Sequence, residues 1–308
     1  MNQKTKAFLS LFVANALFGF SFLFSKTALA HCEPFVLLSL RFTIAFLLMT
    51  LLWFFRVFPL HFKGKKILPL LLLGICEPCL YFICEGYGIL YSSSSFAGIM
   101  IALIPVVAML LSIPFLKEIP TLYQLFFLLF SLLGVFLASS SDGSTQVVTT
   151  LGMIFLIGAV LSAASFNLLS RATSEQFTPF ERTYVMFGLG TIVFIILCFI
   201  QLKGEYLPTV AHLLTLPSFV GSVLYLSICS SLLAFYLFNY GMTYVSVAQG
   251  ASFSNISTVV TVAAGVLLLH EPFSLVQFLG AVLILAGVWG VNTFIRKYPA
   301  SREVKAPK

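Results

Sequence analysis

The chain has 308 residues, of which 60% are hydrophobic and only 9% are charged, whereas charged residues make up about 25% of a typical soluble domain. The mean hydropathy is +1.06, so lipid must solvate much of the apolar surface, and a soluble globular protein is excluded. The net charge of +7 is compatible with nucleic-acid binding, but its placement along the chain, given below, leads us to expect no nucleic-acid partner.

Ten apolar runs follow one another along the chain, each close to the 20 or so residues that a membrane-spanning helix needs. They lack the strict alternation of membrane β-strands, so the sequence predicts an all-α membrane protein with ten transmembrane helices. The predicted spans are Ala7–Ser25, Phe35–Phe55, Ile67–Leu90, Ser93–Leu116, Thr121–Ser139, Thr150–Ser170, Phe180–Ile200, Leu216–Phe238, Ser246–Leu269 and Phe273–Ile295.

The second half of the chain repeats the first. A shift of 153 positions moves Tyr87-Gly88 onto Tyr240-Gly241 and Glu118 onto Glu271, and a shift of 145 moves Lys26 onto Arg171. The second copy therefore has about eight extra residues between its second and third spans. An odd number of spans per copy turns the second copy upside down, as in many secondary transporters. We expect two inverted five-helix repeats, residues 1–143 (spans 1–5) and 147–296 (spans 6–10), with a basic cytoplasmic tail at 297–308.

Lysine and arginine fall mostly on one side of these spans. If the N-terminus is inside, 14 of the 17 basic residues are inside, Lys26 and Lys203 are outside, and Arg41 lies within span 2. This distribution predicts a multi-pass protein of the cytoplasmic (inner) membrane with both termini in the cytoplasm. The first run imitates a signal peptide, but we expect it to be retained because it is longer than a signal core and is the repeat partner of span 6.

Motifs for catalysis or metal binding are missing from the sequence. The four histidines lie far apart, and neither a nucleotide-binding glycine loop nor a Ser-His-Asp set is present. The CxxC from Cys76 to Cys79 lies within a span and favours packing over metal or redox chemistry. We expect no enzyme activity, no catalytic residue, no metal and no cofactor.

Polar residues inside the spans of the first copy are the candidates for function, because ionisable groups are costly in hydrocarbon. Asn15, Phe22 and Lys26 fall on one stripe of span 1. Lys26 is either a cation at the mouth of a pathway or a snorkelling residue at a helix end. In span 3, Glu77 and Glu85 are candidate coupling residues with Tyr81 between them. The alternatives are a structural pair with Arg41 or a hydroxyl, and for Glu77 a kink before Pro78.

The second copy has polar residues at other places. Asn167 and Arg171 share a stripe in span 6, and span 9 opens with an unusually polar stretch. Pro105 of span 4 could open the backbone near mid-membrane, but Thr258 is its repeat equivalent, so we expect any such break to be asymmetric. The candidate substrate-binding residues of the whole chain are Asn15, Phe22, Lys26, Arg41, Tyr81, Asn167, Asn239, Gln249, Ser252 and Asn255.

The set of motifs, in order and repeated, resembles the EamA-type members of the drug/metabolite transporter superfamily over essentially the whole chain. The matching positions are Phe18-Gly19, Phe22 and Lys26 in span 1, Pro34 and Arg41-Phe42 in span 2, Glu85 to Tyr91 in span 3, Pro105 in span 4, and the acidic residues Glu118 and Glu271. The second copy departs from the pattern, with Met186 at the position of Arg41 and Thr258 at that of Pro105.

The resemblance implies a central cavity lined by spans 1, 3, 4, 6, 8 and 9, with spans 5 and 10 peripheral. It favours a secondary transporter of small organic metabolites, amino-acid-like or related, working by alternating access, with export and proton coupling as the expected mode. An uptake carrier or exchanger is the alternative within transport, and an intramembrane lipid-modifying enzyme is the alternative of another class. The expected partners are a small-molecule substrate, the lipid bilayer and protons, and no oligomer is required.

Overall fold

The computed structural model describes residues 2–91, 100–139, 149–202, 205–269 and 275–293, and the regular structure in these ranges is helical throughout. The helices of the first half are α1 Gln3–Leu29, α2 Pro34–Phe54, α3 Leu68–Gly74, α4 Tyr81–Leu90, α5 Ile104–Leu116 and α6 Leu122–Ser139. Those of the second half are α7 Thr150–Thr173, α8 Pro179–Leu202, α9 Tyr206–Leu213, α10 Pro217–Leu224, α11 Ala234–Tyr244, α12 Val247–Ser252, α13 Ser254–Leu269 and α14 Leu275–Thr293. The predicted basic tail lies outside the described residues.

Six helical segments of the described chain are long and apolar enough to cross a membrane: Gln3–Leu29, Pro34–Phe54, Leu68–Gly88, Thr150–Thr173, Pro179–Leu202 and Pro217–Tyr244. Shorter apolar helices add Ile104–Leu116, Leu122–Leu137 and Phe278–Thr293. The prediction of an all-helical, multi-span membrane protein is confirmed.

Two of the spans contain wide π-helical segments at related positions. Ile75–Leu80 joins α3 to α4, and Tyr225–Leu233 joins α10 to α11. The shift of 153 that relates the two halves moves 75–80 onto 228–233, inside the second segment. In the first segment Glu77 has an extended backbone, with φ −143° and ψ 122°, directly before Pro78. Irregular backbone at membrane depth is tolerated only inside protein or beside a cavity. We therefore infer that both segments face the middle of the bundle.

Spans 4 and 9 contain the same tight turn. The amide of Leu103 donates to the carbonyl of Met100 (3.0 Å), and the amide of Ile256 donates to that of Phe253 (2.9 Å). These two pairs are 153 positions apart, so the expectation that a break at Pro105 would be asymmetric is wrong. The turn in the second half needs no proline because nearby hydroxyls bond to the backbone: Ser252 Oγ donates to Gln249 O, and Ser257 Oγ donates to Ser254 O.

Small residues let α6 and α14 pack closely against each other. A Cβ added at Gly134 would lie 2.7 Å from the carbonyl oxygen of Gly280, and one at Gly287 would lie 2.4 Å from Cβ of Ser131. Close backbone approach of this kind is a usual basis for helix association in lipid, where the hydrophobic effect does not drive helices together. Elsewhere the halves interleave, since α1 packs on α11 and α13, and α2 packs on α8.

The loop between α8 and α10 contains a helix that the sequence did not lead us to expect. This helix is α9, which has eight residues. The hydroxyl of Tyr206 at its start lies 3.4 Å from Oγ of Ser39 in α2. This contact fixes α9 against the end of the bundle at which α2 begins.

Candidate functional site

Arg41 of α2 is buried among neutral partners. Its side chain reaches the second half of the chain, where Nε donates to Oγ of Ser231 (2.7 Å) and Nη2 donates to Oγ of Ser230 (3.0 Å). The guanidinium carbon lies 5.1 Å from the ring centroid of Phe82. Within the described residues no carboxylate lies within 4.0 Å of Arg41. A buried guanidinium whose hydrogen bonds go to hydroxyls has no direct counter-ion, which is costly in a membrane and typical of functional groups.

The two serines belong to the π-helical segment of the second half. Ser230 and Ser231 are both 0% exposed, and the shift of 153 relates them to Glu77 and Pro78 of the first half. Span 2 of one half therefore binds the irregular segment of the other half. Sequence reasoning missed both serines, because a Ser-Ser pair in an apolar span more often serves helix packing.

Two carboxylates lie close enough to Arg41 to act on its charge. Both Glu85 and Glu77 interact electrostatically with the guanidinium. Glu85 accepts a hydrogen bond from the Tyr81 hydroxyl to its Oε1 (2.8 Å), whereas Glu77 sits at the backbone break described above. We name the group Arg41, Glu77, Tyr81, Glu85, Ser230 and Ser231 the charged cluster. It joins one cation and two carboxylates inside the spans.

Aromatic rings lie beside the charged cluster. Tyr225, the first residue of the second π-helical segment, stacks on Phe24 with ring centroids 4.0 Å apart, and its hydroxyl donates to the carbonyl of Leu17 (3.1 Å). Phe42 and Phe82 present a further aromatic wall, 5.6 Å between centroids. Rings and charges together suit an organic molecule that has both apolar and ionic parts.

Asn239, another candidate substrate ligand, lies in a separate buried network. It accepts a hydrogen bond from Ser170 Oγ at 2.7 Å and donates to Thr183 Oγ1 at 3.0 Å. Arg182 donates from Nη2 to Asn239 O and to Thr243 Oγ1, both at 2.6 Å. The charge count put Arg182 on the cytoplasmic side without predicting its burial, and the structure buries it completely. The reason is that the first turn of α8 packs between α7 and α11, where backbone and hydroxyl oxygens replace water as acceptors.

The described side chains among the remaining candidates have no hydrogen bond to the charged cluster. Asn15 donates to Leu11 O (2.7 Å), Asn255 donates to Ser131 Oγ (2.9 Å), and Ser252 accepts from Asn292 (3.3 Å). Asn167 Oδ1 and Gln249 Nε2 are buried without a hydrogen-bond partner in the described structure. The side chains of Phe22 and Lys26 lie outside the described residues, although both positions belong to α1. The structure therefore groups Arg41, Tyr81, Glu77 and Glu85, whereas Asn15, Asn255 and Ser252 are bonded to other partners.

Metal ligands are not grouped in the part of the chain that the structure covers. Among those residues, no set of three or more His, Cys, Asp or Glu side chains could hold a metal ion. The charged cluster itself contains a guanidinium, two carboxylates and three hydroxyls, which are groups that suit ionic binding and hydrogen bonding.

Residues 5–140 and 150–293 each match the EamA-like transporter family. The chain belongs to this family. The EamA pattern expected from the sequence is thus confirmed as two copies that together cover most of the protein.

Relatives with similar length are also transporters by name. The chain is 33% identical over 302 residues to the uncharacterized transporter YcxC of Bacillus subtilis, with 96% of each chain covered. It is 29% identical to the uncharacterized transporter YetK of the same organism, with 98% of this chain and 92% of the relative covered. A crystal structure of another protein superposes with a TM-score of 0.76 at 20% identity, covering 94% of this chain and 99% of the other. At that identity the superposition supports the fold alone.

Proposed function

We propose that this EamA-like protein is a secondary transporter that moves small organic metabolites, amino-acid-like or related, across the cytoplasmic membrane by alternating access, in the direction of export. The observation that carries the proposal is the charged cluster, in which Arg41 and two carboxylates lie inside spans of the first half and Arg41 is bonded to Ser230 and Ser231 of the second half. Ionisable groups are kept in that position when they bind substrate or ions.

The three ionisable groups of the cluster have different roles, one in substrate binding and two in proton binding. Arg41 offers N–H groups to an anionic group of the substrate, while Ser230 and Ser231 fix the orientation of the guanidinium. Glu85 and Glu77 lie where an ionised carboxylate is costly, so they take up and release protons as the cavity opens to either side. A substrate that interacts with Arg41, as these carboxylates do, would link its own binding to the binding of protons by the carboxylates.

The direction of the helices supports the inverted arrangement, with repeats at 1–143 and 147–296. Arg171 near the end of α7 donates to Thr243 O near the end of α11 (3.1 Å), and Tyr240 of α11 donates to Gln3 at the start of α1 (3.2 Å). The first helix of one half therefore begins where the first helix of the other half ends. We name this end of the molecule, where α1 begins and α7 and α11 end, the N-terminal end, and we propose that it faces the cytoplasm.

Reporter fusions test this topology. We expect a reporter that follows Lys308 to behave as cytoplasmic and one inserted between Ser139 and Gln146 to behave as external, because five spans precede this loop and five follow it. The same reporter fused after Arg56 is the matched internal control, since this loop lies on the predicted cytoplasmic side. A cytoplasmic signal from the insertion between the copies contradicts the ten-span inverted arrangement.

Reconstituted protein tests the transport function. Liposomes with the purified chain, loaded with a mixture of amino acids and related metabolites, should lose specific compounds faster than empty liposomes do, as mass spectrometry of the outer buffer would show. Release of no compound in either direction contradicts the proposal. Chemical change of the lipids, measured in the same samples, would favour the intramembrane enzyme instead.

A further inference from the structure

An ion pair joins the two halves at the N-terminal end. Glu118, just after α5, accepts from Arg171 Nε at Oε1 (3.4 Å) and from the backbone N–H of Val247 at Oε2 (2.8 Å). Arg171 also donates to the carbonyl of Thr243. Glu118 of the first half therefore links the end of α7 to the start of α12, and Arg171 adds the end of α11.

Tight packing surrounds this ion pair. Ala7 and Leu11 in the first turns of α1, Met242 near the end of α11, and Val247 and Ala251 in α12 are all 0% exposed. The side chains of Arg171 and Glu118 are 20% and 21% exposed, so the pair sits at the rim of the packed region. The N-terminal end is thus shut in this structure, and the contacts of Glu118 must break for it to open.

Two unsatisfied amides lie directly behind the ion pair. Asn167 is one helical turn before Arg171 on the same face of α7, and Gln249 is two residues after Val247. Each residue is 5% exposed, yet Asn167 Oδ1 and Gln249 Nε2 have no hydrogen-bond partner in the described structure. A buried polar atom without a partner destabilises the state that buries it, and opening to water would satisfy both atoms.

We propose that the Glu118–Arg171 pair is a latch that keeps the N-terminal end shut, and that the unpaired amides of Asn167 and Gln249 favour its opening. The two effects oppose each other, so the free energies of the shut and open states stay close, as alternating access requires. This inference rests on the proposed transport function, because it assigns the pair to the conformational step of that cycle.

Hydrogen–deuterium exchange of the full chain in lipid nanodiscs tests the latch without substrate. Glu118→Gln keeps an acceptor for the Val247 N–H but removes the charge. We expect the amides of 243–252 to exchange roughly two- to fivefold faster, the range for a partly solvated ion pair. Arg171→Gln should have the same effect, and the double variant should add little to either single one. Parent-like exchange in Glu118→Gln would overturn the latch.

Variants of Asn167 should change the amide exchange rate in the opposite direction. Asn167→Val and Asn167→Ala both remove the unpaired oxygen, so the same amides should exchange more slowly than in the parent. Asn255→Val is the matched control, because Asn255 is also buried but bonded to Ser131, and its loss should not slow exchange. Gln249 is left intact because its Oε1 caps α12. Faster exchange in both Asn167 variants would overturn their assigned role.

The readout separates this inference from the transport proposal. If liposomes move no compound while the exchange results have the expected signs, the latch stands and the transport function fails. If liposomes transport but the Glu118 and Asn167 variants exchange as the parent does, the latch fails and the transport function stands.

Discussion

Arg41→Ala is expected to lower the initial rate of transport in liposomes at least tenfold, which corresponds to about 1.4 kcal/mol of lost interaction with the substrate. The reason is that Arg41 is the cation of the charged cluster and has only the hydroxyls of Ser230 and Ser231 as hydrogen-bond partners among the described residues. Alanine leaves an anionic substrate group in a buried site without a donor.

Three further variants refine this prediction. Arg41→Lys keeps the charge but replaces the planar, forked guanidinium with a compact ammonium, so its rate should fall between those of the parent and the alanine variant. Ser231→Ala should raise the KM more than it lowers the maximal rate, because the guanidinium is still present but less well oriented. Lys63→Ala, a change at an exposed loop position, should behave as the parent. Parent-like transport by a well-folded Arg41→Ala protein would show that Arg41 is structural.

The aspects of the fold that depend on composition and on the internal repeat could be predicted from the sequence. Long apolar runs require helices in lipid, and a pattern repeated at fixed shifts requires two similar units, so the helical class and the family followed from the residues alone. Local backbone departures were predictable only in part. Pro78 indicated a kink at Glu77, whereas the turn at Phe253 contains no proline and depends on hydroxyl contacts made after folding.

The candidate site was predictable in part, for a physical reason. A charged residue inside a span stands out in any sequence, and so Arg41, Glu77 and Glu85 were found. The partners Ser230 and Ser231 were missed because a small hydroxyl residue becomes informative only when its neighbour is known. The burial of Arg182 was not predicted for the same reason: a basic residue near a helix end normally reaches water, but here oxygens of Ser170, Asn239 and Thr243 surround it.

Glu85→Gln is expected to retain substrate exchange but to lose the response to an imposed pH gradient. A carboxylate inside the membrane is costly when ionised, and Glu85 has one hydrogen bond, from Tyr81, in the described structure. Glutamine imitates the protonated carboxyl and keeps an oxygen for Tyr81, so binding can persist while proton release cannot occur. In the parent, a gradient across the liposome should drive net movement of substrate. In the variant, only counterflow between substrate pools should remain.

Matched variants locate the coupling group. Glu77→Gln shows whether the second carboxylate of the cluster takes part, and Tyr81→Phe removes the hydrogen bond to Glu85 without changing either charge. Glu33→Gln is the control, because Glu33 lies exposed in the turn before α2 and should respond to the gradient as the parent does. If Glu85→Gln also responds as the parent while Glu77→Gln does not, the proton site is Glu77. If both respond as the parent, transport is not coupled to protons through this cluster, and Glu85 serves to fix Tyr81 beside the substrate.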